Sequence, residues 1–133
     1  MTENPNLISH VSLGTNDLAR TTAFYDTVMP TLGAHRLEEF PGAVAYGNRY
    51  PEFWVQTPID GEPARTGNGT HLGFVATTRA AVHAFWEAAL AAGASPDGPP
   101  GPRPAYGPAY YGCFVRDLDG HKVEATFWDE SPT

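Results

Sequence analysis

Hydrophobic and polar positions change period several times along the chain, and each change marks an element. Over residues 7–13 they alternate, with Leu7, Val11 and Leu13 on one face and Ile8, His10 and Ser12 on the other, which predicts a strand. Asn16-Asp17 offers an N-cap. Leu18, Thr21, Thr22, Tyr25, Val28 and Met29 then recur at helical spacing, with Phe24 beside them. Pro30 and Gly33 stop that helix. Short strands are expected at about 34–39, 43–47 and 52–57, with turns at Pro41-Gly42 and at 48–51. Residues 58–69 are rich in Gly, Pro and Thr, carry no period, and read as a linker. A strand at 70–76 follows, then a helix over about 79–92 capped by Thr78, carrying Val82, Phe85, Trp86 and Leu90, and closed by Gly93. Residues 95–107 hold five prolines, which predicts a long loop, because proline lacks the amide donor that a helix or a central strand needs. Strands at 110–116 and 122–128 flank Asp117-Leu118-Asp119-Gly120, whose Asp-Gly pair signals a hairpin.

The same plan occurs twice. Residues 10–25 read H-V-S-L-G-T-N-D-L-A-R-T-T-A-F-Y, and residues 71–86 read H-L-G-F-V-A-T-T-R-A-A-V-H-A-F-W. They align without a gap, His10 on His71, Leu13 on Phe74, Phe24 on Phe85 and Tyr25 on Trp86. The 133 residues therefore form one α+β domain of two tandem β-α-β-β-β modules, about 7–57 and about 70–128. In the second, the proline loop partly replaces the early strands. The strands are expected to form a curved, cup-shaped mixed sheet around one site.

Charge narrows the partners. A net charge of −7 argues against a nucleic-acid binder, which needs a basic surface for phosphates. A small anionic substrate stays open, because Arg36, Arg49, Arg65 and Arg103 are local positive charges. No stretch approaches the roughly 20 apolar residues of a membrane span, so no membrane partner is expected. The single cysteine, Cys113, has no intrachain partner and reads as a small buried hydrophobe. With no charged and apolar leader in the sequence, a cytoplasmic location is expected.

Strand parity singles out three residues. His10 faces opposite to Val11 and Leu13, His71 opposite to Leu72 and Phe74, and Glu124 opposite to Val123, Ala125 and Phe127. Each strand thus has an apolar face for its helix and directs one potential ligand to the other face. Two imidazoles and a carboxylate suit one divalent metal ion, with zinc, iron(II), manganese, nickel and cobalt all compatible. Gln56 shares a face with Trp54 at the matching point of the first module, as a possible fourth ligand or a contact to water or substrate. Trp54, Arg103, Tyr106, Tyr110 and Tyr111 are the expected substrate pocket, with Arg103 pairing a carboxylate or phosphate. Residues 96–108 are then expected to border the site, although a rigid surface loop covering the sheet edge fits the same composition. Trp54 fits a core role equally. His35, His83 and His121 carry no such pattern.

His10-x-x-Leu13, Ala23-Phe24-Tyr25 and the closing Asp117-x-Asp119-Gly120-x-Lys122-Val123-Glu124 resemble the vicinal oxygen chelate superfamily over about residues 7–128. That group includes glyoxalase I, extradiol dioxygenases, methylmalonyl-CoA epimerase, and fosfomycin and bleomycin resistance proteins. The resemblance implies metal ligation by His10, His71 and Glu124, with Glu124 also catalytic. It implies a lyase, isomerase or dioxygenase in which the metal acts as Lewis acid on a small substrate with vicinal oxygens. The position of a glutamate in bacterial-type glyoxalase I falls near Gln56, and an amide cannot take up a proton, which counts against that activity. The alternatives are an iron(II) extradiol-type dioxygenase and a non-catalytic drug-sequestering protein of the bleomycin-resistance type. A homodimer is expected, because two helices are few to cover two sheets. Whether the modules pair within one chain or across the dimer is left open by the sequence.

Overall fold

A computed structural model describes residues 7–130. The first module runs β1 (Val11–Gly14), α1 (Leu18–Val28), a 3₁₀ turn (Met29–Leu32), β2 (His35–Phe40), β3 (Ala43–Gly47) and β4 (Phe53–Gln56). The second runs β5 (His71–Val75), α2 (Arg79–Ala91), β6 (Ser95–Pro102), a 3₁₀ turn (Pro104–Tyr106), β7 (Tyr110–Arg116) and β8 (Lys122–Trp128). Each module makes its own mixed four-stranded sheet, ordered β1-β4-β3-β2 and β5-β8-β7-β6. The first and last strands of each module pair in parallel, β1 with β4 and β5 with β8. The helix between the early strands makes that parallel pairing possible. Among the described residues, no helix is long and apolar enough to cross a membrane.

Local chemistry sets the helix ends. The Asp17 side chain accepts from the Arg20 amide, and the Thr78 side chain from the Ala81 amide. Gly33, at φ 78°, closes the turn after α1, a conformation that costs a side chain and suits glycine.

Two expectations need correction. The first strand begins at Val11, not at residue 7, because β4 offers its first paired residue, Phe53, opposite Val11; Leu7 and Ile8 are exposed. The expected proline loop is a strand over most of its length. β6 pairs with β7 from Ser95 opposite Arg116 to Pro102 opposite Tyr111, with register shifts around Gly98. Proline's missing donor excludes it from a central strand, but β6 lies at the sheet's edge, where one side of the backbone needs no partner.

One core serves both modules. Phe24, Tyr25, Val28, Phe53 and Val55 from the first pack in the same cluster as Val82, Phe85, Val115, Val123 and Ala125 from the second. Phe53 meets Phe74 edge-on at 4.9 Å across the boundary. Full burial of each such side chain is worth about 1.5–3 kcal/mol. The turn between β7 and β8 adds a polar clamp. Tyr25 donates to Asp117 Oδ2 at 2.6 Å, Thr21 to Asp119 Oδ2 at 3.0 Å, and the Asn16 amide to Asp119 Oδ1 at 3.0 Å. His121 Nε2 donates to the Gly14 carbonyl at 2.7 Å. His121, unremarkable in the sequence, is thus a buried tie between modules.

Candidate functional site

On the face of the second sheet away from α2, the Glu124 carboxylate is the centre of a small polar group. Its Oε2 accepts from the Tyr110 hydroxyl at 2.5 Å and from the Thr126 hydroxyl at 2.7 Å. Its Oε1 lies 3.2 Å from His71 Nε2. Glu124 is 10 % exposed at its side chain and His71 47 %, so the imidazole is the accessible edge of the pair. Three strands set this up. Glu124 lies opposite Gly73 on β5 and opposite Phe114 on β7, and His71 and Thr126 project from the same face. Burial, and then the hydrogen bond to Glu124, push the Tyr110 phenol well above its usual pKa, so it is a neutral donor at physiological pH.

His71 and Glu124 are therefore brought together, and their donor chemistry, a ring nitrogen and a carboxylate oxygen 3.2 Å apart, fits a divalent cation. His10 belongs to the other sheet, immediately before β1, where its Nδ1 meets Ser9 Oγ at 3.0 Å. Among the described residues no group of three or more His, Cys, Asp or Glu side chains is placed to hold a metal ion. One chain thus brings His71 and Glu124 together on its second sheet, while His10 lies just before the first strand of the other sheet.

The strand registers correct the pseudo-symmetry read from the sequence. Ser12 lies opposite Trp54, and its counterpart Gly73 lies opposite Glu124. Trp54, not Gln56, therefore occupies the place of Glu124 in the first module, and Gln56 matches Thr126. The indole stacks on Phe40, ring centroids 6.1 Å apart, and donates to the Pro51 carbonyl at 3.0 Å. Gln56 instead lines a cleft of about 350 Å³ with Ser12, Asp60, Glu62 and Arg65, closed on one side by the linker.

The remaining expected pocket residues divide. Tyr110 is at the centre. Tyr106 packs edge-on against its ring at 5.0 Å, as Trp128 does at 5.4 Å, so the segment before β7 reaches the Tyr110 ring. Tyr111 points to the helix side, where its hydroxyl meets His83 Nε2 at 2.6 Å. Arg103 packs over Phe114 and Tyr110, but its guanidinium is committed to backbone. It donates to the carbonyls of Gly112 at 2.7 Å, Pro99 at 2.9 Å and Gly101 at 3.3 Å. It supplies donors to a strand whose prolines have none. Cys113 is fully buried, and burial pushes its thiol up to about 11, consistent with an inert core residue.

Sequence reasoning missed three contributors. Thr126 shares the parity of Glu124 and was readable. Gly73 and Gly112 are glycines inside strands, a signal of close approach. A Cβ on Gly73 would lie 3.3 Å from Glu124 Oε1, and one on Gly112 would collide with the Tyr110 hydroxyl.

Comparison with known proteins gives a consistent result. The family model of the glyoxalase/bleomycin resistance protein/dioxygenase superfamily matches residues 7–125. A glyoxalase/bleomycin resistance protein from Albidiferax ferrireducens is 38 % identical, with a TM-score of 0.84 over 90 % of this chain and 98 % of that one. The fosfomycin resistance protein FosX from Listeria monocytogenes shares the fold at 19 % identity and a TM-score of 0.65, over 92 % of this chain and 93 % of that one. A mutant of FosX complexed with manganese(II) and dihydroxypropylphosphonic acid matches at 19 % identity and a TM-score of 0.66, over 92 % of this chain and 90 % of that one. No curated protein sequence matches the chain. With the duplicated modules, their strand order and these matches in agreement, the chain belongs to the glyoxalase/bleomycin resistance protein/dioxygenase superfamily.

Proposed function

We propose that the protein is a metal-dependent enzyme for a small substrate with vicinal oxygens, its metal held by His71 and Glu124 of one chain and His10 of a second copy. The observation that carries this reading is the convergence of His71 Nε2 and Glu124 Oε1 at 3.2 Å on a face free of helix. A two-fold dimer completes the set economically. Each chain has one half-site on each sheet, and an isologous pairing brings the first sheet of one copy to the second sheet of the other twice over. The metal, when bound, supplies a Lewis acid for two neighbouring substrate oxygens.

The chain's own residues set the rest. His71 and Glu124 bind and orient. Trp54 replaces a carboxylate with an indole, so the first sheet contributes a wall where a fourth acidic ligand would stand. Glu124 is then the acidic side chain that the second sheet brings to the site. Tyr106 and Trp128 flank Tyr110 and exclude water from its hydroxyl. A cytoplasmic location is part of the same reading.

Titration of the chelator-stripped protein with manganese, zinc, cobalt and nickel tests the proposal. One ion per chain is expected, with affinity lowered at least about tenfold in His71→Ala and in His10→Ala. Unchanged affinity in either variant overturns it. A second reading, sequestration of an aromatic ligand without metal, is favoured by the stack of Trp54 on Phe40. Binding of aromatic ligands that persists in chelator and in His71→Ala would support that reading instead.

A further inference from the structure

Building on the metal reading, we infer that Tyr110 and Thr126 are positioning residues that restrict Glu124 to ligation through Oε1 alone, keeping a coordination position free for the second oxygen of a chelating substrate. A carboxylate can give a cation one oxygen or two. Here the two oxygens have different surroundings. Oε2 accepts two hydroxyl hydrogen bonds, at 2.5 and 2.7 Å, in the range of strong bonds to an ionised acceptor. Those two bonds use the lone pairs that a second bond to the metal would need. Oε1 has His71 Nε2 as its hydrogen-bonding neighbour among the described residues.

The backbone is shaped to keep this difference. Gly73 lies opposite Glu124, and a Cβ there would press on Oε1 at 3.3 Å. The φ of Gly73 is not in the left-handed region, so what glycine supplies there is space for the carboxylate and not conformation. Tyr110 lies opposite Trp128, four residues beyond Glu124, and reaches the carboxylate by lying along β7 across Gly112. A Cβ at Gly112 would meet the Tyr110 hydroxyl and approach the Ala125 carbonyl to 2.8 Å. Edge contacts from Tyr106 and Trp128 hold the ring in that pose. Two hydroxyls and two glycines thus serve one carboxylate.

The test uses cobalt(II)-loaded protein and two probes, acetohydroxamate, which binds through two oxygens, and azide, which binds through one atom. Variants Tyr110→Phe and Thr126→Val are made singly and together. In the double variant, cobalt affinity is expected to fall about tenfold. Its visible spectrum should change as Glu124 adds its second oxygen. Acetohydroxamate binding to the loaded protein should weaken about tenfold or more while azide binding changes less than about twofold. Tyr46→Phe, which removes a hydroxyl bound to Asp26 and Thr22 in the first module and none near Glu124, should keep the native probe pattern. A double variant with the native spectrum and native acetohydroxamate affinity overturns the inference and leaves the metal reading standing. So does a Tyr46→Phe variant that reproduces the loss. Native protein that binds no cobalt, or His71→Ala that binds it unchanged, overturns both.

Discussion

Replacing Tyr25 with phenylalanine removes a single oxygen from the contact that joins the two modules. Tyr25 is fully buried on α1, and Asp117, in the turn before β8, is 6 % exposed. Asp117 Oδ1 keeps two backbone donors in the variant, from Asp119 at 3.0 Å and His121 at 2.9 Å. Oδ2 loses the phenol at 2.6 Å. A hydrogen bond to a charged group is worth about 1.5–3 kcal/mol, and the exclusion of water from this site places the loss at the upper end, about 2–3 kcal/mol. With a urea m-value of about 1–3 kcal/mol/M, the midpoint should fall by about 0.7–3 M. Tyr46→Phe is the internal comparison. Its hydroxyl donates to Asp26 Oδ1 at 2.8 Å and to the Thr22 carbonyl at 3.1 Å, but the Asp26 side chain is 44 % exposed and water can take over. A loss of about 1 kcal/mol is expected there. Tryptophan fluorescence and far-ultraviolet circular dichroism should follow one coincident transition, because one core spans both modules. A loss below about 0.5 kcal/mol for Tyr25→Phe refutes the clamp. A larger loss for Tyr46→Phe than for Tyr25→Phe also refutes it, and two separated transitions refute the shared core.

Stability should fall as the pH rises past about 10, the unfolded tyrosine value, because burial and then a carboxylate neighbour raise Tyr25, Tyr46 and Tyr110. The native state then holds protons that the unfolded chain releases, so this stability is complete below pH ~10 and is lost above it; a flat stability profile from pH 8 to 11 contradicts the assignment. Arg103→Lys should cost about 1–2 kcal/mol in urea unfolding, since an ammonium cannot reach three carbonyls as the guanidinium fork does; no loss would mean that those contacts contribute little. Sedimentation at micromolar concentration should return a species of twice the chain mass, and a monomer across that range would remove the basis for a site shared between copies.

The repeat made the modules legible, because a strand parity and a helix cap recur with the same spacing. β7 and β8 have the bounds expected of them, since an Asp-Gly turn and clean alternation fix both register and ends. His71 and Glu124 were legible as neighbours for the same reason, being one face of one parallel pair. The relation of His10 to that pair was not, because it depends on how two sheets meet, which no period within a strand encodes. β6 was missed because proline was weighed as a breaker, when the topology had an edge position that tolerates it. The Gln56 alignment failed by two residues, since the parity of Trp54 and Gln56 is identical and only the paired register separates them. The role of the Asp117 turn was hidden for a related reason. Its acidic residues satisfied a hairpin signal locally, while their hydroxyl partners came from α1, about a hundred residues earlier.

Half of the eight residues of β6 are proline. A strand with so few amides has little with which to recruit another chain, so the outer border of the second sheet is closed to edge-to-edge growth. Aggregation in this protein, when it occurs through strand addition, has to start elsewhere. The outer border of the first sheet is β2, which carries Arg36, Glu38 and Glu39, charges that resist stacking of identical strands. Replacing the β6 prolines with β-branched residues, a common route to firmer strands, would therefore trade solubility for rigidity. The expected product is a protein that folds but precipitates on concentration or partial unfolding.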